Sequence, residues 1–183
     1  MRVWYPAAIL AAVATACSGT SPATPTSINA PLYSTSHQTM SQPDGVPHNF
    51  DTHLTGRNER PTPNDSKAQG QAVFQLSADG LSLSYRLNVA NIEDVTQAHI
   101  HMGPADGTGG IVAWLYPSAP PLQLIPGRSQ GTLEAGTITA ASLVGALAGQ
   151  PLSALVDAIE AGDAYVNVHT VAFPLGEIRG QID

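Results

Sequence analysis

Leu81-Ser82-Leu83-Ser84-Tyr85-Arg86-Leu87-Asn88-Val89 puts an apolar side chain at every odd position and a polar one at every even position. A period of two marks a half-buried β-strand, because successive side chains leave a strand on opposite faces. Just upstream, Gln71-Ala72-Val73-Phe74-Gln75-Leu76-Ser77 sets Ala72, Phe74 and Leu76 on one side. Ala78-Asp79-Gly80 joins the two runs as a short hairpin connection, with glycine supplying the positive φ. Working outward, similar patterning predicts further strands at 50–54, 96–102, 111–116, 129–134, 164–171 and 177–182. Many short strands between Gly/Pro turns predict an all-β sandwich or barrel.

One stretch departs from this pattern. Thr139 is placed to cap a helical segment running through Leu143 and Leu147 to Gly149. Pro151 then suits a first helical position, with Leu152, Leu155, Val156 and Ile159 on one face and Gly162 as the stop. One or two short helices near 140–162 are therefore expected. Seventeen glycines and fifteen prolines among 183 residues favour turns over a helical bundle. With 7 Lys+Arg against 14 Asp+Glu, the net charge is −7. No nucleic-acid partner is expected, since phosphate binding requires clustered basic residues.

The amino terminus reads as an address. Arg2 precedes an apolar run from Ala7 to Ala16, and Ala14-Thr15-Ala16 has the form of a signal-peptidase site. Ten apolar residues fall short of the ~20 that span a bilayer. Cys17, the single cysteine, stands directly after the cleavage point. It has no partner for an internal disulfide and resembles the lipid-acceptor cysteine of a bacterial lipoprotein, with plain secretion as the alternative. Residues 1–16 thus read as a signal peptide and 17–47 as a Ser/Thr/Pro-rich tether, with Asp44 the only charge in 18–47. Residues 48–183 make one domain. The expected location is outside the cytoplasm, either on a membrane through a lipid anchor or freely secreted.

Two strands carry polar residues with a common parity. In Gln97-Ala98-His99-Ile100-His101-Met102 the apolar face is Ala98, Ile100 and Met102, so His99 and His101 project together from the other. In Tyr165-Val166-Asn167-Val168-His169-Thr170-Val171, Tyr165, Asn167 and His169 stand opposite Val166 and Val168. If these strands are neighbours, three imidazoles converge on one outward pocket. His-x-His places two rings on one side of a strand about 7 Å apart at the backbone, close enough to share an ion. Imidazole suits copper, zinc and nickel, and three rings leave an open position. The competing reading has these histidines bonded to loop carbonyls with no metal. His53 is an outside candidate for a fourth ligand, whereas His37 and His48 sit in or beside the tether and are expected in solvent.

Other patterns carry less. The glycine-rich stretch 103–110 has neither the Lys-Ser/Thr nor the following helix of a phosphate loop, and reads as a tight turn. Gly127-Arg128-Ser129-Gln130-Gly131 matches a nucleophile elbow in letters, but its continuation is strand-like. Glu177, Arg179 and Gln181 share a face of the last strand, and the first two read as a cross-strand ion pair.

Three blocks, His99-Ile100-His101-Met102-Gly103-Pro104, Tyr165-Val166-Asn167-Val168-His169-Thr170 and Pro174-Leu175-Gly176-Glu177-Ile178-Arg179-Gly180-Gln181-Ile182, resemble the signature blocks of the CHRD (chordin-type) domain in its bacterial exported form. Leu54-Thr55-Gly56 and Gly70 fit its opening, although Glu59-Arg60-Pro61-Thr62-Pro63 stands where that family usually has an acid followed by Val-Pro-Pro. The resemblance implies an all-β fold of Greek-key type, immunoglobulin-like or similar to Cu/Zn superoxide dismutase, whose copper-binding strand also carries His-x-His. By position it implies His99, His101 and His169 as copper ligands, but this chain has no obvious bridging histidine, separate zinc cluster or structural disulfide. Two functions follow. The first is a non-catalytic binding or structural module of the cell envelope, meeting an envelope protein or a glycan, with no catalytic residues assigned. The second is a copper site for metal handling or for redox chemistry on superoxide or oxygen.

Overall fold

The computed structural model describes residues 48–183. The signal segment, the tether, Cys17 and His37 lie outside the described residues. Seven strands and one α-helix follow in order: β1 (Asn49–Thr55), β2 (Gln69–Leu76), β3 (Leu83–Met102), β4 (Ile111–Tyr116), β5 (Ile125–Ile138), α1 (Ser153–Glu160), β6 (Ala164–Thr170) and β7 (Ile178–Gln181). The strands form one antiparallel sheet in the order β2-β1-β7-β6-β3-β4, with β5 also on β3. A further β2–β3 pairing joins the ends of the run β2-β1-β7-β6-β3 and closes it into a five-stranded barrel. The all-β expectation holds, in its barrel form.

The organising element is β3. Patterning predicts two strands here, over 81–89 and 96–102, whereas the chain is one strand of 20 residues. Asn91 (φ 57°) and Asp94 (φ 51°) occupy the left-handed region inside it. Asn and Asp tolerate that conformation, and such residues bend a strand without ending it. The bend lets the first half, from Leu83, pair with β2 and β5 while the second half, to Met102, pairs with β6 and β4. Strand β5 likewise runs well past the predicted 129–134. Its many exposed glycine and polar positions hide the alternation on which the prediction relied.

Inside the barrel lie Leu54, Leu83, Leu87, Ile92, Ile100, Val166, Val168, Ile178 and Ile182, all fully buried. Burying each such chain contributes roughly 1.5–3 kcal/mol. The helical stretch is smaller than predicted. Residues 140–142 and 145–147 form 3-10 turns, the first opened by the Thr139 N–H donating to Ser142 Oγ at 3.1 Å. Only α1 is α-helical, and it buries Leu155, Val156 and Ile159 next to buried Leu152, the face read from sequence. Gly162 (φ 72°) ends it, its N–H donating to the Ile159 carbonyl at 2.9 Å. No helix among the described residues is long and apolar enough to cross a membrane.

Candidate metal centre

The second half of β3 pairs with β6 so that His99 faces Asn167, His101 faces Tyr165, and Gln97 faces His169. Ala98, Ile100, Val166 and Val168 point into the barrel. Alternation then sends His99, His101, Tyr165, Asn167 and His169 to its outer side, as parity predicts. His169 stands diagonally across from His99, a separation that ring-sized side chains bridge. The ring centroids of His99 lie 5.1 Å from His169 and 5.5 Å from His101, and those of His101 and His169 are 6.2 Å apart.

That outer side is not a solvent face. His99 is 0% exposed and His169 7%. His101 Nδ1–H donates to the Gly109 carbonyl at 2.9 Å, and His169 Nδ1–H donates to the Pro174 carbonyl at 3.1 Å. A carbonyl can only accept, so both rings carry their proton on Nδ1 and leave Nε2 unprotonated. The Nε2 atoms of His101 and His169, and both ring nitrogens of His99, are buried with no hydrogen-bond partner. The two readings of the histidines are thus not exclusive: loop carbonyls take one nitrogen of each of two rings, and the other nitrogens remain free to ligate.

One ligand atom from each ring lies within 4.8 Å of the others. For three atoms so spaced, some point lies within about 2.8 Å of all of them. Imidazole–metal bonds are about 2.0–2.1 Å, so each ring needs to advance by less than about 1 Å to share an ion. Burial supplies the right protonation state. Desolvation, assisted by the neighbouring rings, pushes His99 down to about 3. Desolvation likewise takes His169 down to about 4, against its bond to Pro174. His101 is also lowered, chiefly by burial. All three rings are neutral near pH 7, which ligation requires.

The pocket is roofed by the loop after β3. Arg179 in β7 donates to the carbonyls of Gly107 (2.6 Å) and Pro104 (2.8 Å), and Gln181 Nε2 donates to that of Gly103 (3.0 Å). The Arg179 guanidinium also lies 3.5 Å above the Tyr165 ring, whose plane is within 6° of His101 at 4.9 Å. Gly109 joins roof to floor: its carbonyl holds His101, while its N–H donates to the Tyr165 hydroxyl at 3.1 Å. A Cβ at Gly109 would fall 1.5 Å from the Met102 carbonyl oxygen, so no other residue fits there. On the far side the Trp114 ring meets His99 edge-on at 4.3 Å.

Several expectations change. His53 is exposed, faces Gln71 across β1–β2, and lies outside the cluster of ligating groups. His48 is half-buried, not solvated: it packs on Phe50 and sets Nδ1 3.4 Å from Glu160. Glu177 and Arg179 share a face but do not pair. Glu177 accepts from Ser66 (2.6 Å) and Thr170 (2.7 Å) hydroxyls, while Arg179 serves the loop. Sequence reasoning missed Glu59, a buried acid whose Oε1 accepts from Asn167 Nδ2 at 2.6 Å. Burial pushes Glu59 up to about 7, against the pull of Asn167 and Arg179. Its only signal was its place in the opening block. Trp114 had one in parity, since β4 sets it beside His99.

The family model of the CHRD domain matches residues 50–182. No curated protein and no solved structure matches the chain.

Proposed function

The chain belongs to the CHRD domain family, and from that premise we propose that it is a metal-holding module outside the cytoplasm, with copper as the ion and His99, His101 and His169 as the ligands. The observation that carries this is the convergence of three neutral imidazoles whose Nε2 atoms have no other partner. Leaving polar atoms buried and unpaired costs about 1–3 kcal/mol each, a burden that a bound ion removes. The role is binding, not turnover. The four unpartnered ring nitrogens are buried, and no side chain of the cluster is assigned a step beyond holding the ion. The signal-like leader, Cys17 and the tether support export and a lipid anchor.

The test is retention of metal. The full chain, purified without a histidine tag, is incubated with Cu(II) or Zn(II), or with copper plus ascorbate, then desalted and assayed for bound ion. About one ion per chain is expected in the wild type, with loss in His99→Ala, His101→Ala and His169→Ala. A wild-type chain that retains none of these ions overturns the proposal.

A further inference from the structure

This inference rests on the metal-binding reading and concerns the charge of the ion. Among the described residues the cluster holds three imidazoles and no carboxylate or thiolate. The two buried acids of this face are engaged elsewhere: Glu59 Oε1 accepts from Asn167, and Glu177 accepts from the Ser66 and Thr170 hydroxyls. A cation stands beside the cluster: the Arg179 guanidinium sits on Tyr165, which stacks on His101. The ring nitrogens that would ligate are buried.

Each of these features penalises charge on the ion. The Born cost of bringing an ion into a low-dielectric site scales with the square of its charge, so a dication loses about four times what a monocation of similar size loses. An anionic ligand would offset that loss, and the cluster supplies none. Coordination number points the same way. Zn(II) completes a tetrahedron, and Cu(II) favours four ligands in a tetragonal plane. Cu(I) is satisfied by three donors in a trigonal arrangement, which is what the convergence of three rings offers. Donor softness does not decide the matter, because imidazole serves both oxidation states. Charge and coordination number do.

We propose that the His99–His101–His169 centre is a Cu(I) site, selecting the monovalent ion over Cu(II) and Zn(II). The full chain is titrated with each ion in competition with a colorimetric chelator of known affinity, Cu(I) being generated with ascorbate under anaerobic conditions. The expected result is a Cu(I) Kd at least about tenfold below those for Cu(II) and Zn(II). For the copper couple that ratio corresponds to a potential at least about 59 mV above that of the free ion. Any smaller ratio, or tighter binding of Cu(II) or Zn(II), overturns the inference while leaving a metal-binding protein. A wild-type chain indistinguishable from the triple variant His99→Ala/His101→Ala/His169→Ala toward all three ions overturns the metal reading itself.

Discussion

Lowering the pH from 7 to 5 should destabilise the metal-free protein, and Glu59→Gln should enlarge the effect. His99 and His169 have pKa values of about 3 and about 4 in the fold, against 6.5 for the ordinary side chain. A group depressed in this way contributes stability that is complete above the unfolded pKa and declines as pH falls toward the folded one. At pH 5 the unfolded chain protonates both rings and the native chain neither. Each ring then removes about 2 kcal/mol relative to pH 7, or about 4 kcal/mol together, and His101 adds in the same direction. Glu59 works the other way. Its pKa of about 7 lies above the ordinary 4.5. Its contribution is therefore complete below 4.5 and declines as pH rises through 7, so acidification to pH 5 restores about 2 kcal/mol. The histidines win, with a net loss of about 2 kcal/mol in the wild type. Glu59→Gln keeps an acceptor for Asn167 but removes the offset, so that variant should lose about 4 kcal/mol. Urea unfolding followed by circular dichroism, with chelator present, measures both differences. A wild type that gains stability on acidification refutes the neutral, desolvated imidazoles. Equal losses in the two proteins refute the protonated Glu59.

Three further outcomes follow from the roof and the leader. Gly109→Ala drives a methyl into the Met102 carbonyl, and should abolish metal retention together with the Gly109 bonds to His101 and Tyr165, read by metal analysis after desalting. Arg179→Met removes two loop bonds and the cation on Tyr165. Loosening the support of a ligand typically lowers metal affinity 10–100-fold, and chelator competition should show a loss of about that size. Cys17→Ser should eliminate incorporation of an alkyne fatty acid and release the protein from the membrane fraction; unchanged labelling would remove the anchor from the proposal.

The barrel strands and the histidine cluster were legible because both depend on parity. The alternation through 81–89 sets which residues enter the core, and the same rule applied to 97–102 and 165–171 puts three rings on one side. What parity cannot supply is the partner of a strand, or what covers its other face. Pairing of β3 with β6 depends on a bend at Asn91 and Asp94 that resembles a break in sequence. The sealing of the outer side depends on Arg179, 70 residues beyond Gly109, reaching back to hold the loop. Glu59 belongs to neither pattern, since it enters from the segment between β1 and β2.

A fold that buries unpartnered ring nitrogens gives up stability at the place where it binds, and this can be measured directly. His99 has both nitrogens buried without a partner. Replacing a buried polar group by an apolar one of similar shape recovers the desolvation penalty, commonly about 1–3 kcal/mol. His99→Leu should therefore stabilise the metal-free protein by about that amount, although its site packs against Trp114, His101 and His169. If His99 were an ordinary packing residue, leucine would gain nothing and a change of shape would cost up to about 1.5 kcal/mol. The two accounts differ in sign, so chelator-treated urea curves separate them. With metal present the order should reverse: a bound ion stabilises the wild type by mass action and leaves His99→Leu unchanged. Stabilisation without metal and its reversal with metal together identify a residue retained for ligation at the expense of the fold.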